Sequence, residues 1–240
     1  MGDITRMSQE TKRYIIPLNL TEEESFKTAF RICAGLLREV DEPQGVVLFL
    51  PQKGTFNECL ERTLGEDLSR RLIRDKVVNF GDGSKLSLET RRTFRRWKGS
   101  IDIIVGIYVT EEMFDQIDSV RQARGVIVVP WDTEDVREWR RAWNPETVGE
   151  GKLEADVLIE NPKVERNLIK LTKTVNLSSP LSHRSDRSMA IELLRELYEH
   201  REVFEAKTLK AWALRNGWSP EGANALRDIA QAILLGKRIK

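Results

Sequence analysis

Two stretches decide the fold: Ile101-Asp-Ile-Ile-Val-Gly-Ile-Tyr-Val109 and Gly125-Val-Ile-Val-Val-Pro130. Both are β-branched and nearly free of polar alternation. Strands of that kind must be covered on both faces, as the central strands of a parallel sheet are. Each is followed by a helical pattern. Thr110-Glu-Glu112 places a capping hydroxyl and acids ahead of the stripe Met113, Phe114, Ile117 and Val120. Asp132-Thr133 precedes Val136, Trp139 and Trp143, and Asn144-Pro145 stops that helix.

Upstream, Tyr14 to Leu20 predicts a strand, and Pro17 inside it predicts an edge position. Thr21-Glu-Glu-Glu24 forms a capping box ahead of the stripe Phe26, Phe30, Cys33, Leu37 and Val40. Val46 to Leu50 reads as a buried strand, with a helix expected to start at Lys53-Gly54-Thr55 and to carry Phe56, Cys59, Leu60 and Leu64. A further helix reaches Asp75. Val77 to Phe80 reads as a short strand, Gly81 to Ser84 as a turn, and Ser87 to Lys98 as a helix. The pattern is α/β: a Rossmann-like three-layer domain over residues 14–148, with a mostly parallel sheet of about five strands. Residues 144–160, acidic and glycine-containing, read as a linker. Beyond them the period is helical throughout, giving a smaller all-α region at 156–240.

A chain of 240 residues can bury a sizeable core, and its formal net charge of +1 gives no global polyanion signal. No 18-residue apolar run and no charged-then-apolar leader is seen, so the expectation is a cytoplasmic protein without membrane association. Cys33 and Cys59 fall on apolar helix faces and read as buried free thiols.

In doubly wound sheets ligands bind beyond the carboxyl ends of the strands. The residues expected there are Lys53, Gly54, Thr55, Asn79, Glu111 and Asp132. Lys53-Gly54-Thr55 can meet a phosphate through an ammonium and backbone N–H groups, although the spacing of a phosphate-binding loop is missing. Asp132 directly follows a buried strand and is the acid that a Mg²⁺-assisted phosphoester hydrolase would use, with Glu111 and Lys53. Carboxylates in these places also suit helix dipoles with no chemistry at all. Nucleophilic catalysis is poorly supplied: His183 and His200 are the only histidines, and both lie outside the α/β part. Whether the chain is an enzyme stays open, and no cofactor is specified.

Charge is unevenly spread. Arg70 to Lys98 is basic, and Ser100 to Glu160 is acidic. Within the basic stretch Arg91, Arg92, Arg95, Arg96 and Lys98 interleave with Phe94 and Trp97. Arginine forks suit phosphate oxygens and aromatics can stack on bases; the alternative is a solvated face paired with the acidic half. Near the C-terminus, helices flanking Gly217-Trp218-Ser219 have helix-turn-helix spacing. The would-be reading helix, however, exposes Glu221, Asn224, Arg227, Asp228 and Gln231, which is not a basic surface.

The order Val46-Val-Leu-Phe-Leu50, Arg91-x-x-Phe94, Lys98-Gly99-x-Ile101-Asp-Ile-Ile-Val105 and Val126-Ile-Val-Val129 resembles the second RecA-like domain of superfamily 2 helicases, over residues 46–143. The threonine of that pattern is displaced to Thr110, and neither a His-x-x-Gly-Arg motif nor a Walker motif is present. The resemblance therefore implies fold alone. The functional expectation is a non-catalytic binding or regulatory module for a phosphate-bearing partner, nucleic acid ahead of nucleotide. The alternatives are the hydrolase and a protein-interaction subunit with a surface built from Trp131, Trp139, Trp143, Trp212 and Trp218.

Overall fold

The computed structural model describes residues 11–40, 45–80, 83–94, 101–120, 122–151, 154–177 and 181–237. The chain divides into two compact units, one of residues 1–135 with 145–152 and one of residues 136–144 with 153–240.

The first unit is built on a seven-stranded sheet. Its strands are β1 (Lys12–Ile15), β2 (Gly45–Leu50), β3 (Val77–Phe80), β4 (Ser84–Thr90), β5 (Ile103–Val109), β6 (Gly125–Pro130) and β7 (Glu146–Thr147). The spatial order is β3-β4-β2-β5-β6-β1-β7, so the Ile/Val-rich β5 lies at the centre. Every pairing is parallel except β3 with β4. The α/β class and the mostly parallel sheet agree with the reading of the sequence, with seven strands where about five were expected.

The pleat explains the layers. Val46, Leu48 and Leu50 of β2 share a buried cluster with Ile103, Val105 and Ile107 of β5 and Ile127 and Val129 of β6. The same cluster holds Phe26, Ala29 and Cys33 of α1 (Glu22–Leu37), Leu60 of α2 (Glu58–Leu64) and Leu72 of α3 (Glu66–Asp75). Alternate residues point to the opposite face. There Phe49 meets Phe94 of α4 (Arg91–Phe94) with ring centroids 4.5 Å apart, and Gly106 lies under Ile117 of α5 (Glu111–Asp118). Helices α1 to α3 thus cover one face, and α4 and α5 the other.

Three expectations are corrected. The first part of the expected helix at 87–98 is strand: Ser84-Lys-Leu-Ser-Leu-Glu-Thr90 is β4, because its period of two sends Leu86 and Leu88 into the core beside β2. The helix after it spans only Arg91–Phe94 of the described residues. Strand β1 is not an edge strand. It ends at Ile15, before Pro17, and β7 pairs along its outer side. Finally, the helix after β2 does not start at Lys53-Gly54-Thr55. Those residues form a 3₁₀ turn, and Asn57 caps α2 by accepting from the Leu60 N–H at 2.9 Å.

Buried Asp102 ties the amino end of the sheet together. Its Oδ2 accepts from the Gly45 N–H at 2.9 Å, and its carbonyl accepts from the Arg124 and Gly125 N–H groups.

The second unit is helical. It holds most of α6 (Thr133–Trp143), with α7 (Pro162–Thr174), α8 (Arg184–Glu199), α9 (Ala206–Arg215) and α10 (Pro220–Leu234). Asn161 caps α7 and donates to Glu202, which also binds Lys163; these bonds, Asn161 first, hold the Glu202 carboxyl below its usual range. The Arg215 guanidinium donates to the carbonyls of Arg141, Ala142 and Asp156 at 2.6–3.1 Å, closing the C-terminal end of α6. Gly217, at φ +83°, makes the turn between α9 and α10. Trp218 behind it is buried and donates to Thr172. The outward residues Glu221, Asp228 and Gln231 give α10 no basic face. No helix among the described residues is long and apolar enough to cross a membrane.

Two predictions follow from the packing. Arg215→Ala leaves two helix-end carbonyls and the Asp156 loop carbonyl short of a donor and is expected to destabilise the protein by about 1–3 kcal/mol in urea titration, with Arg215→Lys recovering only part because one ammonium cannot span the same fork. Burial pushes the Cys33 thiol from 9.0 up to about 12. Folding therefore favours the protonated thiol, and its contribution to stability is complete below pH 9 and is lost as pH rises toward 12. Cys33→Ser should reduce the alkaline fall in melting temperature across that window.

Candidate functional site at the carboxyl edge of the sheet

The chain leaves β2 toward β4 through α2 and α3 on one face. It leaves β5 toward β6 through α5 on the other. The carboxyl ends of β2 and β5 are therefore a topological switch point, where the connecting segments diverge and leave a crevice.

Lys53, Gly54 and Thr55 follow β2 at this edge, with Lys53 and Gly54 exposed. Arg91 and Arg92 follow neighbouring β4 and are both exposed. Arg91 pairs with Glu112, and its carbonyl accepts from the Gln116 amide. Glu111 opens α5 after β5, and Asp132 follows β6; both are exposed. The Asp132 carboxylate is already engaged in capping, its Oδ1 accepting from the Asp135 N–H at 2.9 Å, and the backbone N–H of Glu111 donates to the Asp135 carboxylate. Lys53, Arg91, Arg92, Glu111 and Asp132 thus share one edge of the sheet.

Asn79 does not join them. Strand β3 runs antiparallel, and Asn79 registers with Lys85, which in turn registers with Gly45, the first residue of β2. Asn79 therefore stands at the opposite, amino edge. Arg95, Arg96 and Lys98 lie outside the described residues, as do Gly81, Asp82 and Trp97.

The centre of the edge is held by residues whose connection the sequence did not reveal. A β-bulge between Ile107 and Val109 places Tyr108 at φ +53°, a left-handed conformation that a bulky residue rarely adopts and that costs about 1–3 kcal/mol. The extra residue reverses the facing of the strand end, so that Val109 comes round to the side of Gly106. A Cβ on Gly106 would stand 2.5 Å from Val109 Cγ2. Tyr108 is turned to the α1 face, where its ring meets Phe26 edge-on at 5.7 Å. Its hydroxyl donates to Glu22 Oε1, which also accepts from the Asn57 side-chain amide at 2.7 Å. One carboxylate thus joins the end of β5, the start of α1 and the cap of α2. The ring of Tyr108 then supports Trp131 in a T-shaped contact, centroids 5.4 Å apart. Trp131 is 63% exposed, although its N–H is fixed to the Val109 carbonyl. The sequence signal for this arrangement is the glycine inside an otherwise branched strand, which marks a bulge or a close approach. Glu22 gave no signal beyond a first-turn acid.

The other four tryptophans among the described residues do not form a surface. Trp139, Trp212 and Trp218 are buried and Trp143 is half-buried: Trp139, Trp143 and Trp212 lie on the inward stripes of their helices, and Trp218 packs in the turn between α9 and α10.

Residues 160–240 match the family described as "Domain of unknown function (DUF1889)", a span that takes in α7 to α10. No curated protein matches the chain in sequence. Among solved structures, the chain is similar to a mutant of the large terminase ATPase domain of Thermus phage P74-26, with a TM-score of 0.30 and 11% identity over 50% of this chain and 60% of that one. The chain thus spans less than two thirds of that domain.

Since Gly106 is small to make room for Val109 at the bulge, Gly106→Ala should destabilise the protein by about 1–3 kcal/mol through overpacking. Near-ultraviolet circular dichroism should show altered aromatic packing, because the displaced bulge carries Tyr108 with it. A melt and spectrum indistinguishable from the parent would refute this coupling.

Proposed function

We propose that the chain is a non-catalytic binding or regulatory module that recognises a phosphate-bearing partner, nucleic acid ahead of free nucleotide, at the carboxyl edge of its sheet. One observation carries this reading. Lys53 and Arg92 follow two neighbouring parallel strands, β2 and β4, both are exposed, and neither has a carboxylate partner among the described residues. Neighbouring strands are about 4.8 Å apart, so their ends present cations at a spacing that a phosphodiester backbone can follow. Arg91 adds a third cation once Glu112 releases it. Arg95, Arg96 and Lys98 extend the same basic segment in sequence. In this reading residues 14–148 carry the ligand and residues 156–240 form an accessory helical domain. The capping of α6 by Asp132 supports a structural use of that acid over the hydrolase role, and the buried tryptophans favour ligand binding over a tryptophan-lined protein interface.

A filter-binding titration with a labelled single-stranded oligonucleotide tests the proposal. Affinity should fall with salt, with a log–log slope of about −0.7 for each neutralised phosphate. Replacing Lys53 and Arg92 together by Ala should flatten the slope by about 1.4 for two lost contacts. The melting temperature should stay nearly unchanged, since exposed charges contribute only about 0–1 kcal/mol. Absence of binding at about 50 mM salt, the permissive end of the dependence, would overturn the reading.

A further inference from the structure

We infer that Trp131 is a stacking platform for an unpaired nucleobase, so that the partner is single-stranded nucleic acid and not duplex. This rests on the proposed reading of the carboxyl edge and adds to it the class of ligand. Burial of an indole is worth a great deal to a fold, yet this one stands 63% exposed directly after a wholly buried strand. It is nevertheless held in place. Its backbone N–H is fixed to the Val109 carbonyl, and its ring is propped by Tyr108. An edge-on neighbour can cover at most one face of a ring, so the other is open to a planar group. Tyr108 is itself fixed from two sides, by the Phe26 ring and by the Glu22 carboxylate. Its backbone is kept in an unfavourable conformation by a bulge that aims its ring along this edge. An ordered, exposed aromatic surface whose support is strained and hydrogen-bonded is what rigid stacking requires, because little side-chain entropy remains to be lost on binding.

The occupant follows from charge. Lys53 stands beyond β2, and β2 neighbours β5, whose end carries Tyr108. A ligand on Trp131 therefore has exposed cations on the same edge, toward β2 and β4, and the acids Glu111 and Asp132 beside the aromatic. That division suits a chain of alternating character, with bases on the aromatic and phosphates on the cations. A duplex keeps its bases stacked inside and offers the indole no free face.

The experiment compares three labelled polymers of equal length: oligothymidylate, a duplex, and an abasic sugar–phosphate strand. The parent protein should bind oligothymidylate tightest, with quenching of tryptophan fluorescence. Trp131→Ala should weaken oligothymidylate binding about 5- to 150-fold, the range of one lost stacked base. It should leave the abasic strand unaffected and abolish the quenching. Trp131→Phe should restore most of the affinity, and Tyr108→Phe should lower it less than Trp131→Ala does. The inference is overturned if Trp131→Ala weakens all three polymers equally, if it weakens none, or if duplex binds as well as single strand. In those cases a salt slope that responds to Lys53 and Arg92 preserves the parent reading. Failure of every polymer to bind at low salt removes both.

Discussion

The structure depends on strands that are dry on both faces. β2 and β6 are buried at every position, and β5 at all but Tyr108. Such strands cannot stand at a solvent boundary, so the chain must supply a helical layer above and below them. Once α1 to α3 take one side and α4 and α5 the other, β2, β5 and β6 reach water only at their ends. For these three strands, polar chemistry is thereby confined to the two rims. Asp102 fastens the amino rim through backbone groups, while the carboxyl rim keeps exposed side chains.

Within the carboxyl rim, position along the sheet decides what a residue can do. Asp132 and Asp135 spend their oxygens on backbone donors of α6 and α5. Glu22 spends one of its own on a tyrosine and an asparagine. The cations are distributed otherwise, with Lys53 and Arg92 left to solvent. At this edge Asp132, Asp135 and Glu22 bind protein donors, Arg91 pairs with Glu112, and Lys53 and Arg92 face solvent.

Much of this was legible from residue order. The Ile/Val runs at 101–109 and 125–130 fixed the sheet's centre because continuous burial leaves no other solution. Thr21-Glu-Glu-Glu24 gave the start of α1 because its capping box is local. Strand β4 was missed because the arginines at 91 and 92 and the helical stripe beyond them masked a short period of two. Asn79 was placed at the wrong rim because strand direction is a property of pairing, which no local pattern records. The Glu22, Asn57 and Tyr108 connection spans 86 residues between its ends, and only the mid-strand Gly106 hinted that the strand there was irregular.

The helical unit is discontinuous in sequence, taking in residues 136–144 before the chain returns to β7. Arg215 makes that borrowing specific, because its three acceptors belong to residues 141, 142 and 156. The family match begins only at residue 160, after all three. A protein that carried the matched segment alone would keep the arginine and lose its acceptors. It would also lose Ala142 from the helical core. The matched segment is thus narrower than the helical unit, whose core and helix-end bonds draw on residues upstream of it.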